Sequence, residues 1–140
     1  MCTIVNMTAT NKAKLDKVDY AWRVHKIMSG HRYSPIINYP IGSVNTAFLN
    51  RFMKDGDTLE GGAYHCVRTR RLARKLLKNL KREGQVSENA KCIIEKVYFK
   101  PQDIVAVGTN SIYWQRQLGM VREINPHICV SRFVLNEKDR

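Results

Sequence analysis

Residues 61–84 read GGAYHCVRTRRLARKLLKNLKREG, and this stretch decides the fold expected of the rest. Gly61-Gly62 breaks the chain, and residues 63–67 form a short apolar run that fits a strand. Thr69 is placed to cap a helix, because its hydroxyl can accept from the unpaired amides of the first turn. Leu72, Ala73, Leu76, Leu77 and Leu80 then recur at helical spacing and make one apolar stripe. Gly84 suits the left-handed position that ends a helix. The other faces carry Arg70, Arg71, Arg74, Lys75, Lys78, Lys81 and Arg82, opposed only by Glu83. The stripe anchors the helix and the cations point outward.

The flanking residues read as strands. Residues 18–28, VDYAWRVHKIM, alternate, with Tyr20, Trp22 and Val24 on one face and Arg23 and His25 on the other. Residues 91–99, KCIIEKVYF, are dense in β-branched and aromatic side chains. Residues 103–107, 120–124 and 128–135 are further strands, and residues 1–7 read as an edge strand. Residues 8–17 are expected to form a loop or short helical turn, and residues 33–42, with two prolines, an extended kinked segment. Ser43 would cap a short helix over 44–54, a strand being the alternative for part of it. Gly108 closes a strand, residues 109–119 form a loop or helical turn, and Asn125-Pro126 turns the chain. Several connections are too short for helical crossovers, so the sheet should be mainly antiparallel. The expected fold class is α+β: one domain over residues 1–140, a mainly antiparallel sheet with one long basic amphipathic helix packed on it.

Composition narrows the function. The 140 residues carry 24 Lys+Arg against 12 Asp+Glu, a net charge of +12, and residues 61–84 alone supply eight basic residues and one acidic. Such a patch attracts polyanions, of which nucleic acid is the commonest. The candidate anion-binding residues are Arg68, Arg70, Arg71, Arg74, Lys75, Lys78, Lys81 and Arg82. Tyr113, Trp114 and Arg116 add stacking groups and a cation suited to single strands or exposed bases. No P-loop, GxSxG, HExxH or zinc quartet occurs, so no catalytic residue, metal or cofactor is expected. His65 and Cys66 are sequence neighbours on a strand and point to opposite faces, so they cannot act on each other. Cys2, Cys66, Cys92 and Cys129 form no CxxC pair, and Cys66, Cys92 and Cys129, each in an apolar run, read as buried free thiols. No secretory signal or membrane-length apolar run is present, and the expectation is a soluble cytoplasmic protein.

Several segments together resemble a family of small uncharacterised domains known mainly from bacteriophage genomes. These are the Cys after the first Met, the RVHKI strand, and the run from Tyr33-Ser34-Pro35 to Tyr39-Pro40-Ile41-Gly42. The CIIEKV and DIVAVG strands belong to the same pattern, as does the glycine–histidine–threonine stretch from Gly62 to Thr69. There this chain departs in spacing, with two residues between Gly62 and His65. The resemblance covers residues 1–110 and implies a phage origin and an α+β fold, but no activity. With a host cell as the setting, an alternative partner is an acidic host-protein surface, blocked in host takeover or anti-defence, or a sequestered anionic nucleotide. A third class, the ADP-ribosyltransferases, resembles this chain in being small, sheet-rich and often phage-encoded. It would cast His25, Tyr64 and Glu123 as its histidine, aromatic and glutamate. A homodimer would double the basic surface.

Overall fold

A computed structural model describes residues 3–49, 52–116 and 119–140, with residues 111–116 and 119–125 described by backbone alone. Strand β1 (Thr3–Val5) leads into helix α1 (Met7–Leu15), and Asn6 caps that helix by accepting from the Ala9 amide at 3.0 Å. Strand β2 (Tyr20–Met28) turns at Ser29-Gly30 into β3 (His31–Tyr33). Both turn residues have positive φ, 50° and 77°, the combination that matches the twist of a tight hairpin. Short strands β4 (Pro40–Ile41), β5 (Val44–Thr46), β6 (Thr58–Leu59) and β7 (Tyr64–Cys66) follow. Next come helix α2 (Arg70–Arg82), β8 (Cys92–Tyr98), β9 (Ile104–Arg116), β10 (Gly119–Val130) and β11 (Arg132–Val134).

These strands form two antiparallel sheets, in the orders β6-β1-β9-β10-β7 and β4-β3-β2-β8-β11-β5. Two links join them along one side. The chain passes from β10 to β11 through the single residue Ser131, and Val67 exchanges both backbone hydrogen bonds with Trp22 of β2. The result approaches a barrel. Ala21, Val97, Phe99, Ile128, Val130 and Phe133 fill the layer between the sheets. On the outer face of the second sheet, Ala73, Leu76 and Leu80 of α2 pack on Val24 and Val67.

The expected architecture is therefore corrected. The expectation was one sheet with a single long helix laid on it. The described residues instead form two sheets of eleven strands, with only two short helices, of 9 and 13 residues. The helix expected over 44–54 is absent among the described residues; β5 stands at its start and pairs with β11. The loop expected over 109–119 is strand for residues 109–116. Gly108 does not end β9, because it lies where the Ile4 backbone crosses close to it. Asn125-Pro126 does not turn the chain. At Pro126 the edge of β10 away from β9 has no partner strand among the described residues, since β7 pairs only from Ile128 onward, and such an edge tolerates a missing N–H.

The cap of α2 follows the sequence reading. Thr69 Oγ1 accepts from the Leu72 amide at 3.1 Å, and Gly84 takes φ +79° just past the end. Thr69→Ala is expected to lower stability by about 1 kcal/mol, measured by urea unfolding, with Thr69→Ser near wild type.

Candidate functional site

The cationic face of α2 is the first candidate. Arg70, Arg71, Arg74, Lys75, Lys78 and Arg82 are all exposed, while Ala73, Leu76, Asn79 and Leu80 are buried. Arg70, Arg74 and Lys78 stand one turn apart in a row. Among the described residues, these three and Arg71 make no ion pair. Two predicted members belong to the fold instead. The Arg68 guanidinium donates to the Tyr20 carbonyl and stacks over the Tyr20 ring at 4.7 Å. Lys81 Nζ donates to the carbonyls of Glu88 at 3.2 Å and Ala90 at 3.4 Å, tying the end of α2 to the connection that follows.

Tyr113, Trp114 and Arg116 lie on β9, opposite Arg122, Val121 and Gly119 of β10. Their side chains are outside the described residues. Beyond Asn110 and Asn125, this pair runs on as a two-stranded ribbon with no third strand among the described residues.

A second candidate is a cleft of about 450 Å³ beside β2. Strand β3 pairs only Lys26–Met28 of β2, and Val67 pairs Trp22. Between these partners, on the edge of β2 away from β8, no strand among the described residues lies along Arg23 and Val24, and the cleft opens there. Its walls are aromatic and aliphatic, with Trp22, Tyr39 and Tyr64 beside Pro35, Ile36 and Leu76. Gly62, with φ +80°, lets the wall pass close to Phe48 and Leu49.

Arg23 is one of the residues that line this cleft, only 7% exposed and in the inward phase of β2. Its guanidinium lies 5.3 Å from the Tyr64 ring centroid and 5.2 Å from that of Phe133. It donates from Nε to His25 Nε2 at 3.2 Å, from Nη1 to the His65 carbonyl at 3.2 Å and from Nη2 to Ser34 Oγ at 3.3 Å. None of these acceptors is anionic. Since His25 Nε2 accepts, its proton is on Nδ1, which donates to Glu95 Oε2 at 2.7 Å. Burial, with Arg23 alongside, pushes His25 down to about 4 against the pull of Glu95, so the imidazole is neutral. Burial alone would raise the Glu95 carboxyl, but hydrogen bonds from Arg32 and His25 hold it below its usual range. Arg32 Nε lies 2.8 and 2.9 Å from the two Glu95 oxygens. Arg32 thus neutralises Glu95, and the Arg23 charge is left over.

Behind the cleft, His65 Nε2 donates to the Glu60 carbonyl, so Nδ1 is an acceptor and takes the Thr3 hydroxyl proton at 2.9 Å. His127 Nδ1 then donates to the same hydroxyl oxygen at 3.3 Å, and its buried Nε2 has no partner among the described residues. Cys129 Sγ stands 3.4 Å from His65 Nδ1. Burial pushes the Cys129 thiol up to about 12 and His65 down to about 4, so the proton stays on sulfur and no nucleophilic thiolate forms. Cys66 is equally unreactive, its thiol raised by burial to about 11. Among the described residues, no group of three or more His, Cys, Asp or Glu is arranged to hold a metal ion.

The ADP-ribosyltransferase trio is not assembled. His25 and Tyr64 do meet the same Phe133 ring, at 6.0 and 4.9 Å. Tyr64, however, pairs with Val130, and Glu123 lies seven residues earlier on β10, roughly 23 Å along the strand.

Sequence reasoning missed Arg23, although a signal was present. Arg23 and Glu95 are charged residues in the middle of strands rich in aromatic and aliphatic side chains, in cross-strand register with each other. The alternation of β2 placed Arg23 and His25 together, but only the second sheet makes that face an interior. No protein-family model, curated protein or solved structure matches the chain. No helix among the described residues is long and apolar enough to cross a membrane.

Proposed function

We propose that the protein binds nucleic acid through the exposed face of α2, tracking phosphates without reading sequence. The supporting observation is the row Arg70, Arg74, Lys78, with Arg71 beside it, exposed and free of ion pairs among the described residues. At 1.5 Å per residue the cations from Arg70 to Arg82 extend roughly 18 Å, about five phosphates along one strand of a duplex. Ala73, Leu76 and Leu80 hold the helix against the sheet, so the charged face is presented on a fixed support. Such contacts position a backbone and carry no base information. The β9–β10 ribbon, with Tyr113, Trp114 and Arg116 on its backbone, is a second element of the size that enters a major groove.

The test is a titration of labelled single- and double-stranded nucleic acid at 50 and 200 mM salt. With four phosphate contacts, the logarithm of affinity should fall with that of salt at a slope of about −3 to −4. The Arg70→Glu/Arg74→Glu/Lys78→Glu variant is expected to lose at least tenfold in affinity and most of the salt dependence. Absence of wild-type binding at 50 mM salt, or an unchanged slope in the variant, overturns the reading.

A further inference from the structure

We propose that the cleft beside β2 is a binding site for a small organic anion, its flat apolar body held between Trp22, Tyr39 and Tyr64 and its carboxylate or phosphate on the Arg23 guanidinium. The site is separate from the α2 face. Three observations point to it. The space, about 450 Å³, is that of a small-molecule pocket, with mostly apolar walls and few polar groups. The charged group buried in its lining is a guanidinium that pairs with no carboxylate among the described residues. Among the described residues its partners are a neutral imidazole, a carbonyl, a hydroxyl and the Cys66 thiol, none of them anionic.

The third observation is the charge balance. Glu95, the cross-strand neighbour of Arg23, turns its carboxylate to His25 and Arg32 and cancels the latter. Glu60, the acidic residue of the lining, is exposed. A buried cation is normally matched by an anion in the protein, because desolvation disfavours it otherwise. Here the missing anion is the ligand's. Arg23 carries five N–H donors; three go to His25, His65 and Ser34 and a fourth meets the Cys66 sulfur, which leaves one. That donor and the hydroxyl proton of Ser34, whose oxygen accepts from Arg23 and which lines the cleft, match the two oxygens of a carboxylate or phosphate. The Tyr64 and Phe133 rings against the guanidinium and the bond from Nε to His25 fix its orientation before any ligand arrives.

Two dyes of one shape test this: anilinonaphthalene sulfonate, and N-phenyl-1-naphthylamine, which lacks the sulfonate. Fluorescence titration should show the anionic dye saturating one site and the neutral dye binding at least tenfold more weakly. Arg23→Met should weaken the anionic dye at least tenfold and the neutral dye little. If Arg23→Met does not fold, Tyr39→Ala at the exposed lip takes its place and should weaken both dyes at least threefold. Arg70→Glu/Arg74→Glu/Lys78→Glu should leave dye binding unchanged, which separates this site from the nucleic-acid face. Displacement by 5′-AMP but not benzoate assigns a phosphate, and the converse a carboxylate. Equal affinity for both dyes, unchanged binding in a folded Arg23→Met or in Tyr39→Ala, loss in the α2 variant, or displacement by neither competitor overturns the proposal.

Discussion

Gly108→Ala is expected to lose about 3 kcal/mol or more of stability, a fall in Tm on the order of 10 °C. Gly108 lies in mid-strand, where β9 pairs with Val5 of β1 on one side and His127 of β10 on the other. A methyl group there would meet the Ile4 carbonyl oxygen at 1.8 Å and its carbon at 2.8 Å. Those are backbone atoms, so no rotamer change relieves the clash, and β1 must move as a whole. Moving it disturbs Thr3, which bridges His65 and His127, and Val5, which is buried with Leu59 and Ala106. Gly61→Ala is the control. No atom stands within 4 Å of its added carbon, and its backbone is outside the left-handed region, so stability should change by less than about 0.5 kcal/mol. Urea unfolding of the two variants beside wild type decides it. A Gly108→Ala protein as stable as the Gly61→Ala control would mean that β1 does not press on β9 as described.

The second large effect is acid sensitivity. Burial holds His25 and His65 down to about 4 and His127 down to about 3 in the folded chain. In the unfolded chain each titrates near 6.5. Between these limits the unfolded state binds more protons, so stability rises with pH across the window and is lost as pH falls from about 6.5 towards 4. Near pH 5 unfolding should take up about three protons, a slope of roughly 4 kcal/mol per pH unit. Glu95, held below its usual range, acts in the same direction lower still. Its contribution is present above the unfolded carboxyl value and disappears as pH falls through the folded one. Denaturant unfolding at pH 7, 6, 5 and 4.5 measures the slope. A stability that is flat from pH 7 to 5 would show that these rings are not kept neutral by burial.

The helix was legible because its signals are local. The period of Leu72, Ala73, Leu76, Leu77 and Leu80, the Thr69 cap and the Gly84 stop all fall within sixteen residues. β8 was legible for the same reason, as a dense run of β-branched and aromatic residues. The two-sheet division was not, because sheet membership depends on remote partners. β5 reads as a helix start until β11 lies beside it. Gly108 and Asn125-Pro126 have the composition of breaks, yet tertiary contacts require a glycine at the first, and an open edge accommodates the second. Helix α1 is polar and lacks an apolar stripe; its sequence signals are the Asn6 cap and its alanines. In the candidate site, the exposed cations of α2 could be read directly. The cleft could not, because its lining comes from β2, the β3–β4 connection, the residues before β7 and α2, which are brought together only by the joined sheets.

The joined sheets also set the order in which the chain can fold. Ile4 pairs with Thr109, and Thr46 with Arg132, so early strands acquire these neighbours only when late ones arrive. On a ribosome adding about 5–20 residues per second, β1 precedes its partner β9 by roughly 5–20 s. During that interval its edge is unpaired, as is that of β5, and such edges are where nascent chains associate wrongly. Folding dominated by pairings this remote is slow compared with that of a helical bundle of equal length. A chain released before Ser131 lacks the corner between the sheets and the partner of β5. Such a chain is expected to remain incompletely folded, without a smaller version of the same domain.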